Sequence, residues 1–256
     1  MKNLLLTLFL SALFTGVVFS QKPLTYPPAV LSLAIEQSSG TNGSAVAWNP
    51  TAGLYYALIA GNSEYPLEVF NQTGGSVRQM EAGIDLRGLW WNPKAKALQG
   101  NCPGETGWVQ LDSDNKGIPT GSSSFLVEGE HQPDFQSVAA FDAKKKKLVF
   151  YNNGALYLYN AKNGAQAGTV QLPLPVSQEN INFTTVGFTG KKNYEYVLLD
   201  YDQQKLYFFN RSGAFTAESQ LPYDAVTNDA FRFSFANGIA FLYDAEERVW
   251  TGYKVF

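Results

Sequence analysis

The sequence predicts an all-β fold built as a ring of about five four-stranded blades, on three observations. An aromatic turn motif recurs along the chain; an alternating strand ending in Asn and Gly recurs behind it; and the last repeat lacks one strand while a spare apolar strand lies near the start. Repeats of this length that cannot bury their own faces are the signature of a β-propeller.

Taken in order, the first 20 residues read as a signal peptide. Lys2 supplies the positive start, Leu4 to Phe19 is almost wholly apolar, and Val18-Phe19-Ser20 resembles a cleavage site. The mature chain then begins near Gln21, and residues 21–256 form a single β-propeller domain. The rival reading is an uncleaved anchor, because the apolar stretch approaches the roughly 20 residues that span a bilayer. Thr7, Ser11, Thr15 and Gly16 weaken it as a span. No comparable run follows Gln21, so the expectation is a secreted protein, extracellular or periplasmic, with no membrane span after cleavage.

Ala29 to Glu36 is the next element, extended and apolar with no strand beside it in sequence. The repeats follow. Trp48-Asn49-Pro50, Trp91-Asn92-Pro93, Phe141-Asp142-Ala143, Phe188-Thr189-Gly190 and Phe235-Ala236-Asn237 each end a short apolar strand, with spacings of 43, 50, 47 and 47 residues between the aromatic anchors. That is the length of one blade, about 40–50 residues. The anchors recur in every unit and are expected in the core. Leu67 to Asn71, Leu156 to Asn160 and Leu206 to Asn210 are third strands, each turning at Gly74, Gly164 or Gly213, where a hairpin needs residues that tolerate positive φ. The units run about 38–83, 84–129, 130–175, 176–222 and 223–256, with six blades as the alternative count. The fifth offers only three strands, and Ala29 to Glu36 supplies the fourth, closing the ring without an exposed edge at the seam.

The run Leu199-Asp200-Tyr201-Asp202-Gln203-Gln204-Lys205-Leu206-Tyr207-Phe208-Phe209-Asn210 resembles the NHL and YVTN type of propeller repeat, in which an Asp ends the second strand and an aromatic-Asn turn ends the third. Units three and four carry the resemblance best. Unit two departs from it at Asn101-Cys102-Pro103-Gly104. The resemblance implies a binding or scaffolding surface more often than catalysis and names no ligand and no cofactor.

A net charge of −3 with 16% charged residues indicates no nucleic-acid partner, which would require a basic surface or stripe. Lys144 to Lys147 reads as a solvated hairpin turn. One Cys excludes an intramolecular disulfide, and one His excludes a multi-histidine metal site. Zinc-protease, nucleophile-elbow and phosphate-loop motifs are absent. Asp112 to Gly117 begins like a calcium loop, but Lys116 and Ser123 occupy ligand positions, so a hairpin turn is expected. Acceptor sequons for N-glycosylation stand at Asn42, Asn71, Asn182 and Asn210.

The candidate site comes from breaks in the repeat. Six residues before the anchors stand Asn42, Asp85, Phe135, Asn182 and Asp229, with Asp134 beside Phe135. A ring of such oxygens at the pore could hold a cation or water; local turns before strands are the plainer reading. One residue before the anchor, Ala47, Ala140, Gly187 and Ser234 are small, whereas unit two has Trp90, and Arg87 and Arg232 interrupt uncharged columns. Trp90 either repairs packing or offers a stacking surface. Asp85, Arg87, Trp90, Asp134, Asp229 and Arg232 are therefore the expected ligand-binding residues of a module recognising a glycan or protein through loops on one face. The alternative is a sugar- or lactone-acting hydrolase using pore-lining carboxylates, with or without a metal. A third is an interaction domain presenting a broad apolar face.

Overall fold

The structure, a computed structural model, describes residues 21–36, 42–61, 64 and 66–256. The signal-peptide reading of residues 1–20 falls outside them. Five antiparallel sheets of four strands form the ring. Strand β1 (Ala29–Ala34) comes first. Blade 1 holds β2 (Asn42–Asn49), β3 (Leu54–Ala60), β4 (Pro66–Asn71) and β5 (Ser76–Glu81). Blade 2 holds β6 (Gly88–Asn92), β7 (Ala97–Asn101), β8 (Gly107–Ser113) and β9 (Pro119–Glu128), and blade 3 holds β10 (Ala140–Asp142), β11 (Lys147–Asn152), β12 (Ala155–Asn160) and β13 (Gln166–Gln171). Blade 4 holds β14 (Gly187–Phe188), β15 (Tyr196–Asp200), β16 (Lys205–Phe209) and β17 (Phe215–Gln220); blade 5 holds β18 (Phe233–Ala236), β19 (Ile239–Asp244) and β20 (Val249–Lys254). Strand β1 completes blade 5, pairing antiparallel to β20 from Ala29↔Tyr253 to Ala34↔Val249.

Because each blade is a meander, its connections alternate between the two faces of the disc. First-to-second and third-to-fourth turns lie on one, here called the hairpin face. Second-to-third turns and the links between blades lie on the other, the loop face. Side-chain caps explain the turns. Asn49 Oδ1 accepts from the N–H groups of Thr51 and Ala52, Asn92 Oδ1 from those of Lys94 and Ala95, and Asp142 Oδ1 from that of Lys145. The third-to-fourth turns repeat the device at Asn71, Asn160 and Asn210. In blade 2 the same slot is Asp114, whose Oδ1 accepts from Lys116 and Ile118. The calcium-like stretch is thus a capped hairpin, as its register with the other repeats requires.

The core lies between blades. Each anchor leans on the preceding blade: Trp48 joins the cluster of blades 5 and 1, Trp91 that of 1 and 2, Phe141 that of 2 and 3, Phe188 that of 3 and 4, and Phe235 that of 4 and 5. All five anchors are only half buried. The expectation that they are plain core is corrected on that point, since one edge of each ring faces the axis.

Candidate functional site

On the loop face every blade junction is tied by a hydrogen bond. Gly61 N donates to Asp85 Oδ1 (3.3 Å) between blades 1 and 2, and Arg87 Nε donates to Gln136 Oε1 (2.5 Å) between blades 2 and 3. Val138 N donates to the Thr184 carbonyl (2.9 Å), Asn182 Nδ2 to the Phe231 carbonyl (2.7 Å) and Arg232 N to the Gly43 carbonyl (2.7 Å) at the remaining three. A parallel bridge, Val138↔Thr185, shows how closely neighbouring first strands approach.

These ties locate the residues picked out from the sequence. Arg87 is 5% exposed and bonded to Asp85, so this pair, with Gln136, forms one cluster. Asp134 caps that cluster's loop by accepting from Gln136 N (2.9 Å). Trp90 is 6% exposed; its Nε1 donates to Gln99 Oε1 (3.2 Å) and its ring packs 6.1 Å from that of Phe141. Asp229 has an exposed side chain, its carbonyl accepting from Phe183 N, and Arg232 carries φ 54° on the other side of the ring. The six residues therefore do not form one site: Asp85, Arg87, Asp134 and Trp90 gather around blade 2, whereas Asp229 and Arg232 lie at the junctions on either side of blade 5. The Asn and Asp column does not converge on a cation: Asn182 is 0% exposed and spends its amide on Asn228, Phe231, Thr184 and Thr185. Among the described residues no cluster of three His, Cys, Asp or Glu side chains has metal-binding proximity.

The concave feature on the ring axis lies toward the opposite face. A cavity of about 190 Å³ is lined by Ala45 to Trp48, Leu89 to Trp91, Val138 to Phe141, Thr185 to Phe188 and Ser234 to Asn237, with Ala143 at its rim. Its lining begins at the loop-face tie of Val138 and runs along the first strands to their ends on the hairpin face, where the aromatic anchors stand. Aromatic rings wall it: Trp48, Trp91, Phe141, Phe188 and Phe235, with Trp90 bordering. First strands pair on one side only, so alternate N–H and C=O groups of their free edges face the axis. Ser234 Oγ already serves one, accepting from Val46 N (2.9 Å). Asn237 stands exposed at the rim and donates to Tyr55 Oη (2.8 Å).

No lining side chain is ionisable. The expectation of pore-lining carboxylates is corrected accordingly, because Asp85, Asp134 and Asp229 sit among the loop-face connections and none of them lines the pit. Asp142, at a first-strand end, is turned into the interface of blades 3 and 4, where Arg211 grips it with both terminal nitrogens and reaches Glu195 (3.5 Å). The thiol of Cys102 is fully buried, and burial, reinforced by the charge of Asp85, pushes it up to about 12, which removes it as a nucleophile. Asn182 is likewise removed as a glycan acceptor by burial. The pit was legible in one respect: a column of aromatics at the last positions of the innermost strands must ring the axis.

Fold and pit together define the class, a five-bladed β-propeller with an aromatic-walled axial pit. Solved structures of propeller type resemble it in fold. The chain is similar to glutaminyl cyclase of Myxococcus xanthus at 13% identity, TM-score 0.58, over 92% of this chain and 98% of that one. It is similar to an auxiliary nutrient binding protein of Bacteroides thetaiotaomicron at 12% identity and TM-score 0.50, over 85% of this chain and 60% of that one. BamB of Moraxella catarrhalis matches at 11% identity and TM-score 0.40, over 85% and 61%. No family model matches the chain, and no curated protein sequence does. At these identities the likeness concerns the fold alone. Among the described residues no helix is long and apolar enough to cross a membrane.

Proposed function

We propose that the protein is a binding module whose ligand, a sugar ring of a glycan, seats in the aromatic pit on the hairpin face. One observation carries this reading: a concave site walled by five aromatic rings and free backbone edges, without an ionisable side chain. Aromatic faces stack on the apolar faces of sugar rings, and edge amides and carbonyls match their hydroxyls. At about 190 Å³ the pit is smaller than the roughly 300–1,000 Å³ of pockets that enclose drug-sized ligands, so it accepts one ring and leaves the rest of the chain outside.

Export after cleavage of residues 1–20 and an NHL- or YVTN-like repeat belong to the same proposal, supported by the apolar start and by the capped turns at Asp200 and Asn210. The loop-face residues Asp85, Arg87, Asp134, Asp229 and Arg232 act in this reading as ring ties, and Trp90 as packing. The fold shared with a cyclase does not bring its chemistry here.

The test is a titration of the mature protein with soluble glycans followed by tryptophan fluorescence, since Trp48, Trp90 and Trp91 border the pit. Binding shifts the emission, and Trp91→Ala weakens it at least about tenfold, as loss of one stacked ring worth about 1.5 kcal/mol requires. Binding that survives Trp91→Ala unchanged defeats the proposal.

A further inference from the structure

The small net charge of the chain conceals a polarised disc. The first-to-second turns of blades 2, 3 and 4 carry Lys94, Lys96, Lys144, Lys145, Lys146 and Lys191, all exposed. Third-to-fourth turns of the same blades add Lys116 and Lys162 on the same face. Two acids of that face are covered: Asp142 is buried under Arg211, and Glu195 is 7% exposed beside the same guanidinium. The exposed carboxylates Asp112 and Asp114 sit together at the outer hairpin of blade 2, where backbone hydrogen bonds from Ile118 and Lys116 hold Asp114 below the ordinary range and so keep it ionised. The loop face carries the opposite sign, in Glu105, Glu130, Asp134, Glu179, Asp224 and Asp229. The chain total of −3 thus averages two faces of contrary sign.

First-to-second turns are the connections nearest the axis, so the lysines form an arc on the rim of the pit over three consecutive blades. The turns of blades 1 and 5, Pro50 to Gly53 and Asn237-Gly238, are neutral. Among the described residues none of the six lysines is paired with a carboxylate. Lys191 Nζ instead lies 5.6 Å from the centre of the Phe256 ring, which packs against the pit residue Phe235 (6.2 Å). An array of unpaired like charges in neighbouring turns is self-repelling and is relieved by a polyanion.

We infer that the ligand is an acidic glycan, one of whose rings enters the pit while carboxylates on flanking residues meet the lysine arc. This rests on the pit reading above, and charge complementarity selects the class. A neutral glycan leaves the arc without a partner, and a polyanion lacking a stackable ring leaves the pit empty.

The experiment compares oligogalacturonate with its fully methyl-esterified counterpart, the same ring without the charge, by tryptophan fluorescence titration. A duplex DNA oligonucleotide serves as the charge-only control. The acidic oligomer is expected to bind at least about tenfold tighter than the ester, the sum of several weak exposed contacts. That margin is lost at about 1 M salt, where charges are screened within about 3 Å. The triple variant Lys144→Gln, Lys145→Gln, Lys146→Gln, confined to one exposed turn, brings the acid to within a few-fold of the ester. Equal binding of acid and ester, with the triple variant unaffected, overturns the acidic assignment and leaves the pit standing. No emission change with either oligomer overturns the pit reading and this inference together. DNA binding as tight as the oligogalacturonate, and indifferent to Trp91→Ala, also overturns it, because the face is then a sequence-blind polyanion surface.

Discussion

Glu68 shows how a single side chain sets a condition on stability. It lies on β4, 2% exposed, with Oε1 accepting from Ser76 Oγ (2.8 Å) and Oε2 from Glu36 N (3.2 Å). Burial pushes its carboxyl above the ordinary range, and those hydrogen bonds only partly offset the shift. A carboxyl with a raised folded pKa binds its proton more tightly in the folded chain than in the unfolded one. Its ionisation therefore costs stability in full above the folded pKa, and the cost vanishes as pH falls below the unfolded value of about 4.3. Glu68→Gln is expected to raise the unfolding midpoint near pH 7 and to leave it unchanged near about pH 4. An equal shift at both pH values refutes the assignment. The same scale explains why the Asn and Asp column, a shared slot in the sequence, is not one cluster in the fold. Sequence shows that Asp85, Asn182 and Asp229 share a slot, but not that one carboxylate meets Arg87, that one amide is exhausted by four neighbours, or that only Asp229 points outward.

At the scale of the strand, the residue before each anchor faces the next blade, which explains why it is small. A Cβ on Gly187 would lie 2.6 Å from Phe235 Cβ, so β14 has room for hydrogen alone. In β6 the same slot holds Trp90, and it fits because the interface it enters is thin in apolar residues: Trp108, Ala139, Leu148, Phe150 and Tyr159 are its other buried members. The break in the pattern was visible in the sequence; its meaning was not, because the volume of the facing interface is a property of two blades. Of the two readings of Trp90 the structure favours packing. Trp90→Ala accordingly leaves a cavity between blades 2 and 3 and is expected to cost about 3–5 kcal/mol, read as a lowered urea midpoint at unchanged slope. A cost below about 1 kcal/mol would mean that the ring lies in solvent and that the stacking surface was the right assignment. Turn positions were far more legible than packing, since Asn71, Asp114, Asn160 and Asn210 cap their hairpins through bonds spanning two to four residues. Local chemistry of that span is written in the sequence, whereas a lysine arc drawn from three turns some fifty residues apart appears only once the ring has closed.

The closure itself is a statement about the whole molecule. A propeller ring has no partner for its last blade except its own chain, and here that partner is β1, which shields the edge of β20 along its full register from Tyr253 to Val249. Leu33 of β1 is 0% exposed and Ile35 just beyond it 5%, both in the cluster shared by blades 5 and 1 with Phe241, Tyr243 and Trp250. Further contacts pin the segment: Leu24 N donates to the Val255 carbonyl (3.0 Å), Tyr26 N to the Gln220 carbonyl (2.8 Å) and Ile35 N to the Arg248 carbonyl (2.8 Å), so one end of the chain staples blades 4 and 5 together. This arrangement was readable because the final repeat was one strand short and the spare strand had no other use. Deleting residues 21–36 therefore does more than remove a strand. It bares the backbone edge of β20 and uncovers Trp250 and Phe241, a long unpaired edge beside apolar surface that invites pairing with another chain. The shortened chain is expected to lose the cooperative unfolding transition and to associate. A synthetic peptide of residues 21–36 should restore the monomer by adding its strand to the open edge. If the shortened chain remains a monomer with an unchanged midpoint, β1 is an ornament on blade 5, and the ring is held by the loop-face ties alone.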